Sequence, residues 1–279
     1  MRIASGGVTD LGRVRTNNED CYKIVERLNL FVLSDGMGGE AHGEIASALA
    51  VETVVKHCLG ADANSGAEII GEIQPNWSDR TKRLSTAVHL ANRNIFKSAE
   101  ENPDQHGMGA TLTAVWIDGT NLSVAHVGDS RAYLLRSGNL LQLTRDHSLV
   151  AEQVRRGILT AAEAEESDMQ SVLLRALGAQ EEIEVDAEEH TLFPRDILLL
   201  CSDGLTRMVT DPEIAGTLQS ETDPMRAAGK LIALANERGG PDNITVVIAR
   251  LDKESKGWFS WLRRGARKNS NSNGTVGGN

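Results

Sequence analysis

LFVLSDGMGGEAHGEIAS, residues Leu30 to Ser47, joins two unlike patterns. Leu30–Ser34 is a short apolar run, as buried strands are. From near His42 onward, Ala46, Leu49, Ala50, Thr53, Val54 and His57 recur at steps of three and four, which predicts a helix with one apolar face. Asp35 stands at the join, where the chain leaves the core, with Gly36 behind it. Asp-Gly is also an ordinary turn dipeptide. Asp35 acquires chemical meaning only if other acidic residues are delivered to the same place.

Working outward, the same kind of apolar run recurs at 111–117 (TLTAVWI), 122–128 (LSVAHVG), 132–135 (AYLL), 196–202 (DILLLCS) and 244–251 (ITVVIARL). Helical spacing recurs at Leu84, Ala87, Val88, Ala91 and Ile95, and at Met225, Ala228, Ile232 and Ala235. Asp211-Pro212 and Asp223-Pro224 each offer an N-cap followed by proline in the first turn. Thr160 with Glu163 reads as a capping box, inside a charged excursion at about 145–180. Residues 59–79 read as a loop. Strands in consecutive blocks predict antiparallel sheets with helices packed outside them, an α+β fold.

The 279 residues are 40% hydrophobic and carry a net charge of −10. That length suits one large domain or two small ones. The acidic balance excludes a general nucleic-acid binder, which needs a basic face. Cys21, Cys58 and Cys201 form an odd set without a C-x-x-C, so neither a disulfide framework nor a zinc site is expected. There is no apolar signal region and no run of about 18 apolar residues. A soluble, cytoplasmic chain is the expectation.

Asp35 has company. Asp129 lies in VAHVGDSRAYL, Asp203 in LLLCSDGL, which repeats Ser-Asp-Gly, and Asp242 in RGGPDNITVVI; VRTNNEDCY adds Glu19 and Asp20. Each is a carboxylate beside an apolar run with a small residue next to it. Two carboxylates about 4 Å apart repel by roughly 4 kcal/mol at an effective dielectric near 20. Four or five would need a counter-charge or would shift their pKa values upward. Oxygen-only donors suit hard cations such as Mg2+ or Mn2+. A pair of such ions activates water against an electrophile, most often a phosphate ester.

TDLGRVRTNNED, LSDGMGGEAHGEIAS, GATLTAV, AHVGDSRAYLL, LLCSDGL and GPDNITVV resemble, in order and across about residues 5 to 251, the motifs of the PPM family of metal-dependent Ser/Thr protein phosphatases, also called type 2C. The D-G-M-G-G form resembles the bacterial branch, many of whose members oppose Ser/Thr kinases. The resemblance implies a four-layer αββα sandwich, two antiparallel sheets between helices. It implies dephosphorylation of phosphoserine and phosphothreonine proteins by a hydroxide bridging two ions and attacking phosphorus in line. Residue by residue, Asp35 matches the carboxylate bridging both metals and Gly36 the backbone carbonyl ligand. Asp203 and Asp242 match ligands of the dinuclear centre. Asp129 matches the ligand of a third metal, shared with Asp203. Asp20 matches an acidic residue holding a metal or its water, and Arg15 the arginine that grips phosphate. The excursion at 145–180 matches the flap beside the active site.

The chain departs from the pattern in places. Met37 stands where eukaryotic members carry a proposed general-acid histidine. Glu40 stands where many bacterial members carry a histidine, and His42 reads as a capping or solvent-facing residue. His126 reads as a buried core residue, Arg131 as a brace for its loop, Met37 as a packing residue, and His147 as a residue able to touch substrate. Two other classes compete with the phosphatase reading. A pseudophosphatase would have lost a metal aspartate, and none is lost; a small phosphate-ester hydrolase would prefer an aryl phosphate to a phosphopeptide. From Asp252 the composition changes. Six Lys/Arg against Asp252 and Glu254 give a tail of +4, with Trp258, Phe259, Trp261 and Leu262 ahead of the basic cluster. Residues 1–251 read as the catalytic domain and 252–279 as a tail suited to an anionic membrane, an acidic partner or the chain's own acidic domain. A monomer is expected.

Overall fold

Period-two alternation sorts the apolar strands between two sheets, each with one face to helices and one face to the other sheet. The computed structural model describes residues 1–38, 42–60, 70–71 and 73–252. One sheet orders β1 (Arg2–Asp10), β11 (Ile244–Asp252), β10 (Ile197–Cys201), β7 (Arg131–Arg136) and β8 (Asn139–Gln142) side by side. The other orders β2 (Asp20–Val25), β3 (Leu30–Met37), β5 (Leu112–Asp118), β6 (Asn121–Val127) and β9 (Asp186–Thr191), with the short β4 (Gly109–Ala110) also on β3. All paired strands are antiparallel.

The alternation is legible residue by residue. Phe31 and Leu33 of β3 meet Leu198, Leu200, Val247 and Ala249 of the other sheet in the central core. Leu30 and Val32 point the opposite way, to Ala46, Ala50 and Val54 of α1 (Gly43–Leu59) and Leu84, Val88 and Ile95 of α2 (Asp79–Glu101). On the far side, Leu199, Cys201, Val246 and Ile248 pack against α6 (Asp211–Ser220) and α7 (Pro224–Glu237) through Ile214, Leu218, Ala228 and Leu231. The result is the expected α+β sandwich of four layers, helices–sheet–sheet–helices. Its three apolar interfaces supply the main driving force for folding.

Some boundaries differ from the sequence reading. β3 does not stop at Ser34; it continues to Met37 because Gly36 and Met37 pair with Ala110 and Gly109. Asp35 therefore lies inside a strand. Thr210, not Asp211, caps α6, forming a capping box with Glu213. Asp223 caps α7 by accepting from the Arg226 N–H, and Thr160 with Glu163 forms the expected capping box of α4 (Ala161–Glu165). Between α1 and α2, the described residues 70–71 and 73–78 carry no helix or strand. The excursion after β8 contains α3 (Leu149–Arg155) and α4. It is stitched at its root by the bridges Ser148–Leu173 and Ala110–Leu177. Of the tail, only Asp252, the last residue of β11, lies among the described residues; 253–279 lie outside them.

Candidate metal centre

Five aspartates reach one end of the sandwich, from both sheets. Asp20 opens β2 and sits directly across from Asp35 of β3. Asp129 follows β6 by two residues. From the other sheet, Asp203 begins the one-turn α5 (Asp203–Thr206) immediately beyond β10, and Asp242 precedes β11 by two residues. The charge on Asp35 is opposed by Asp20, Asp203, Asp129 and Asp242 together.

The repeated Ser-Asp-Gly has a local physical reason. A Cβ on Gly36 would lie 2.1 Å from the Gly43 carbonyl oxygen, and one on Gly204 would lie 2.0 Å from that of Asn243. Each glycine lets backbone pass directly behind its aspartate. The serines tie each turn down. Ser34 Oγ donates to the Thr111 carbonyl (2.6 Å), and Ser202 Oγ donates to Asp20 Oδ2 (2.8 Å) while accepting from the Thr245 N–H (2.9 Å).

Burial without compensation shows in the acidities. Burial pushes Asp20 up to about 7, against hydrogen bonds from Thr245 and Ser202, and the charges of Asp203 and Asp242 push the same way. Asp129 is also pushed up to about 7, by burial first and then by Asp203 and Asp146. Asp35 is raised well above the carboxylate range by burial and its four acidic neighbours, and Asp203 is raised by burial although Arg207 opposes it. Asp20 Oδ2 takes both available hydroxyls, and Asp20 Oδ1 and Asp203 Oδ1 are buried with no hydrogen-bond partner. Buried, unpartnered carboxylate oxygens are costly alone and are what a hard cation takes as ligands. The residues fit a bound divalent metal.

Two arginines stand against the cluster. Arg15 Nη2 lies 2.9 Å from Asp242 Oδ2, with the arginine side chain about half exposed. Arg207 Nη2 lies 2.5 Å from Asp203 Oδ2, and its Nη1 is 3.9 Å from Asp242 Oδ2. Sequence reading missed Arg207. Its signal was the i+4 spacing from Asp203 on a helical turn. Arg131 braces its loop as expected, donating to both oxygens of Asp146 and to the Tyr133 hydroxyl. Met37 packs on Gly109, as expected. Glu19 contributes its backbone carbonyl, which accepts from the Gly36 N–H (3.0 Å). His42 occupies the N-cap position of α1 without capping it and pairs instead with Glu44 (3.2 Å); Glu40 lies outside the described residues.

His126 is a buried residue, as expected, with Nε2 donating to the Arg145 carbonyl (2.7 Å). His147 does not face substrate: its side chain is 2% exposed, because the flap root folds over it. With Asp186 these two form a His/His/Asp cluster whose ligand atoms lie within 4.8 Å of one another, close enough to hold a metal ion.

Residues 13–236 match the family described as Protein phosphatase 2C. The chain belongs to this family. It is 38% identical over 254 residues to the serine/threonine phosphatase stp of Listeria welshimeri, covering 89% of this chain and 96% of that protein. It superposes on the crystal structure of the Mycobacterium tuberculosis serine/threonine phosphatase PstP/Ppp with a TM-score of 0.79 at 38% identity, over 90% of this chain and 99% of that one. A PstP catalytic domain solved with two manganese ions gives a TM-score of 0.77 at 37% identity, over 90% and 99%. This protein phosphatase 2C chain is a metal-dependent Ser/Thr phosphatase of the bacterial branch. The family acts on phosphorylated proteins in bacterial Ser/Thr kinase signalling.

Proposed function

We propose that this phosphatase works with two divalent ions, Mg2+ or Mn2+, held by Asp35, the Gly36 carbonyl, Asp203 and Asp242. Asp20 supports that pair, and Asp129 with Asp203 takes a third ion. The observation that carries the reading is the convergence of five carboxylates with Asp20 Oδ1 and Asp203 Oδ1 buried and unpartnered. The two manganese ions of the PstP domain support it.

When bound, such ions polarise a phosphoryl oxygen and lower the pKa of a water. The chain's residues do the remaining work. Asp35 stands between the acids of the two sheets and serves both halves of the centre. Arg15 is exposed enough to turn from Asp242 and grip two phosphate oxygens through its planar fork. Asp242, freed of Arg15, is left to the cations. The substrates are phosphoserine and phosphothreonine proteins, products of a Ser/Thr kinase. A reducing cytoplasm is part of this reading, on the odd and sparse set of cysteines in the sequence.

The test is phosphopeptide turnover against Mn2+ and Mg2+, with binding followed by calorimetry. Turnover should vanish in excess chelator and return with either metal, and a phosphopeptide should be preferred to a small aryl phosphate. Full turnover with metal content verified as nil would overturn the reading. Phosphoproteomics after deletion of the gene names the substrate.

A further inference from the structure

His147 is buried, lies outside the carboxylate centre, and makes contacts that core packing does not require. Its backbone N–H donates to the Gly128 carbonyl (2.9 Å), and the Gly128 N–H donates to its Nδ1 (3.1 Å). A ring nitrogen that accepts has no proton, so the neutral ring carries its proton on Nε2. That nitrogen lies 3.3 Å from Asp186 Oδ2, a close contact with the carboxylate, and is buried without a hydrogen bond. Asp186 opens β9 and takes Arg175 of the flap's returning limb on its other oxygen (2.8 Å). The same limb donates the Leu174 N–H to the His147 carbonyl (2.7 Å). His126 stacks on the His147 ring at 4.5 Å and fixes its plane.

On the other side, Gly128 leads straight into Asp129. Its φ is +104°, and a Cβ there would lie 2.6 Å from Thr111 Cβ. Thr111 Oγ1 contacts Ser130 Oγ (2.7 Å) and accepts from the Asp35 N–H (2.9 Å). The turn that carries Asp129 is thus fastened to the Asp35 strand through Thr111 and to the flap through His147.

We infer that His147 is a positioning residue: its ring bridges the Gly128 N–H and Asp186, and so couples the root of the flap to the turn that aims Asp129. The effect on metal response rests on the reading of Asp129 as an ion ligand; the bridge itself does not. The bridge and a metal at the His126–His147–Asp186 cluster exclude each other. An ion on Nε2 would displace a proton that Nδ1 cannot take while it accepts from Gly128.

Asparagine places an oxygen where Nδ1 lies; glutamine places an amide where Nε2 lies. In the full chain, His147→Asn should keep the Gly128 amide protected from hydrogen exchange. His147→Gln should expose it to roughly tenfold faster exchange, as one lost buried bond allows. Calorimetric titration with Mn2+ should show the weakest binding step moved to roughly tenfold higher concentration in His147→Gln, and by less in His147→Asn, which keeps only the Gly128 end of the bridge. In the wild-type chain, 15N spectra of the ring should show the Nε2–H tautomer, which decides the matter even if a variant fails to fold. An Nδ1–H tautomer would overturn the inference. So would equal Gly128 exchange in both variants, or a bound metal lost from His147→Asn, His147→Gln and Asp186→Asn alike. If Asp129→Ala leaves Mn2+ binding unchanged while the tautomer and the exchange contrast persist, the bridge stands and only the third ion falls.

Discussion

Arg207→Met removes a charge from the metal centre while keeping most of the apolar stem. The guanidinium lies 2.5 Å from Asp203 and 3.9 Å from Asp242, and its side chain is 22% exposed. A charge-assisted hydrogen bond at such a site contributes about 1.5–3 kcal/mol. The second attraction, at an effective dielectric near 20, is bounded by about 4 kcal/mol before desolvation is subtracted. Removing one partner also leaves carboxylates uncompensated. In excess chelator the variant should lose about 2–3 kcal/mol of stability. That is a fall of roughly 4–12 °C in Tm for a domain of this size. In saturating Mn2+ the loss should shrink below about 1 kcal/mol, because the ions then supply the counter-charge. The Mn2+ concentration for half-maximal activity should fall, since the guanidinium no longer competes for Asp203. Urea denaturation followed by circular dichroism, with chelator and with Mn2+, measures both losses. Equal losses in the two conditions would refute the idea that Arg207 stands in for a cation.

Asp35→Asn, Asp203→Asn and Asp242→Asn should each nearly abolish turnover with the fold intact, whereas Arg15→Ala should chiefly raise KM; normal kinetics in all four would refute the site. In chelator, stability should fall as pH rises from about 4 to about 7. Asp20 and Asp129 sit at about 7 in the folded chain against ordinary values near 4. The folded state therefore holds more protons in that window, and urea midpoints across it check the sign. Glu213 and Glu221, held at about 2 by Arg238 and Lys230, act only below it. A chain ending after Asp252 should keep full turnover of a short phosphopeptide, and only the longer chain should sediment with anionic liposomes at low salt. Equal liposome binding by both would reject a membrane role for the basic tail.

Much of this centre was legible in the sequence because its parts are local. Asp35, Asp203 and Asp242 each adjoin an apolar run, and each run is a buried strand. Other elements were hidden for reasons the packing explains. β1 carries Gly6 and Gly7 in a strand interior, where glycine argues against a strand. A Cβ at Gly6 would meet the Met225 backbone at 2.6 Å, and one at Gly7 the Tyr22 ring at 2.6 Å, so close packing set those residues. β9 reads DAEEHT, a polar edge strand whose mate β6 supplies the apolar side. Arg207 and the His147 bridge were invisible because their partners, Asp242 and Gly128 with Asp186, lie far away in sequence or are backbone groups.

The pairing of β1 with β11 along nine residues, Arg2–Asp252 to Asp10–Ile244, sets when the enzyme comes into being. During synthesis β1 is made long before its ladder partner, which is the last strand among the described residues. β11 also lies between β1 and β10, so that sheet cannot close until translation has passed Asp252. Asp242 and the buried seat of Asp20 against Thr245 arrive with it. A nascent chain therefore carries most of its carboxylates, yet has no centre in which to assemble them. Dephosphorylation cannot begin before β11 is in place, and the non-local closure makes folding slow relative to a helical protein of equal length.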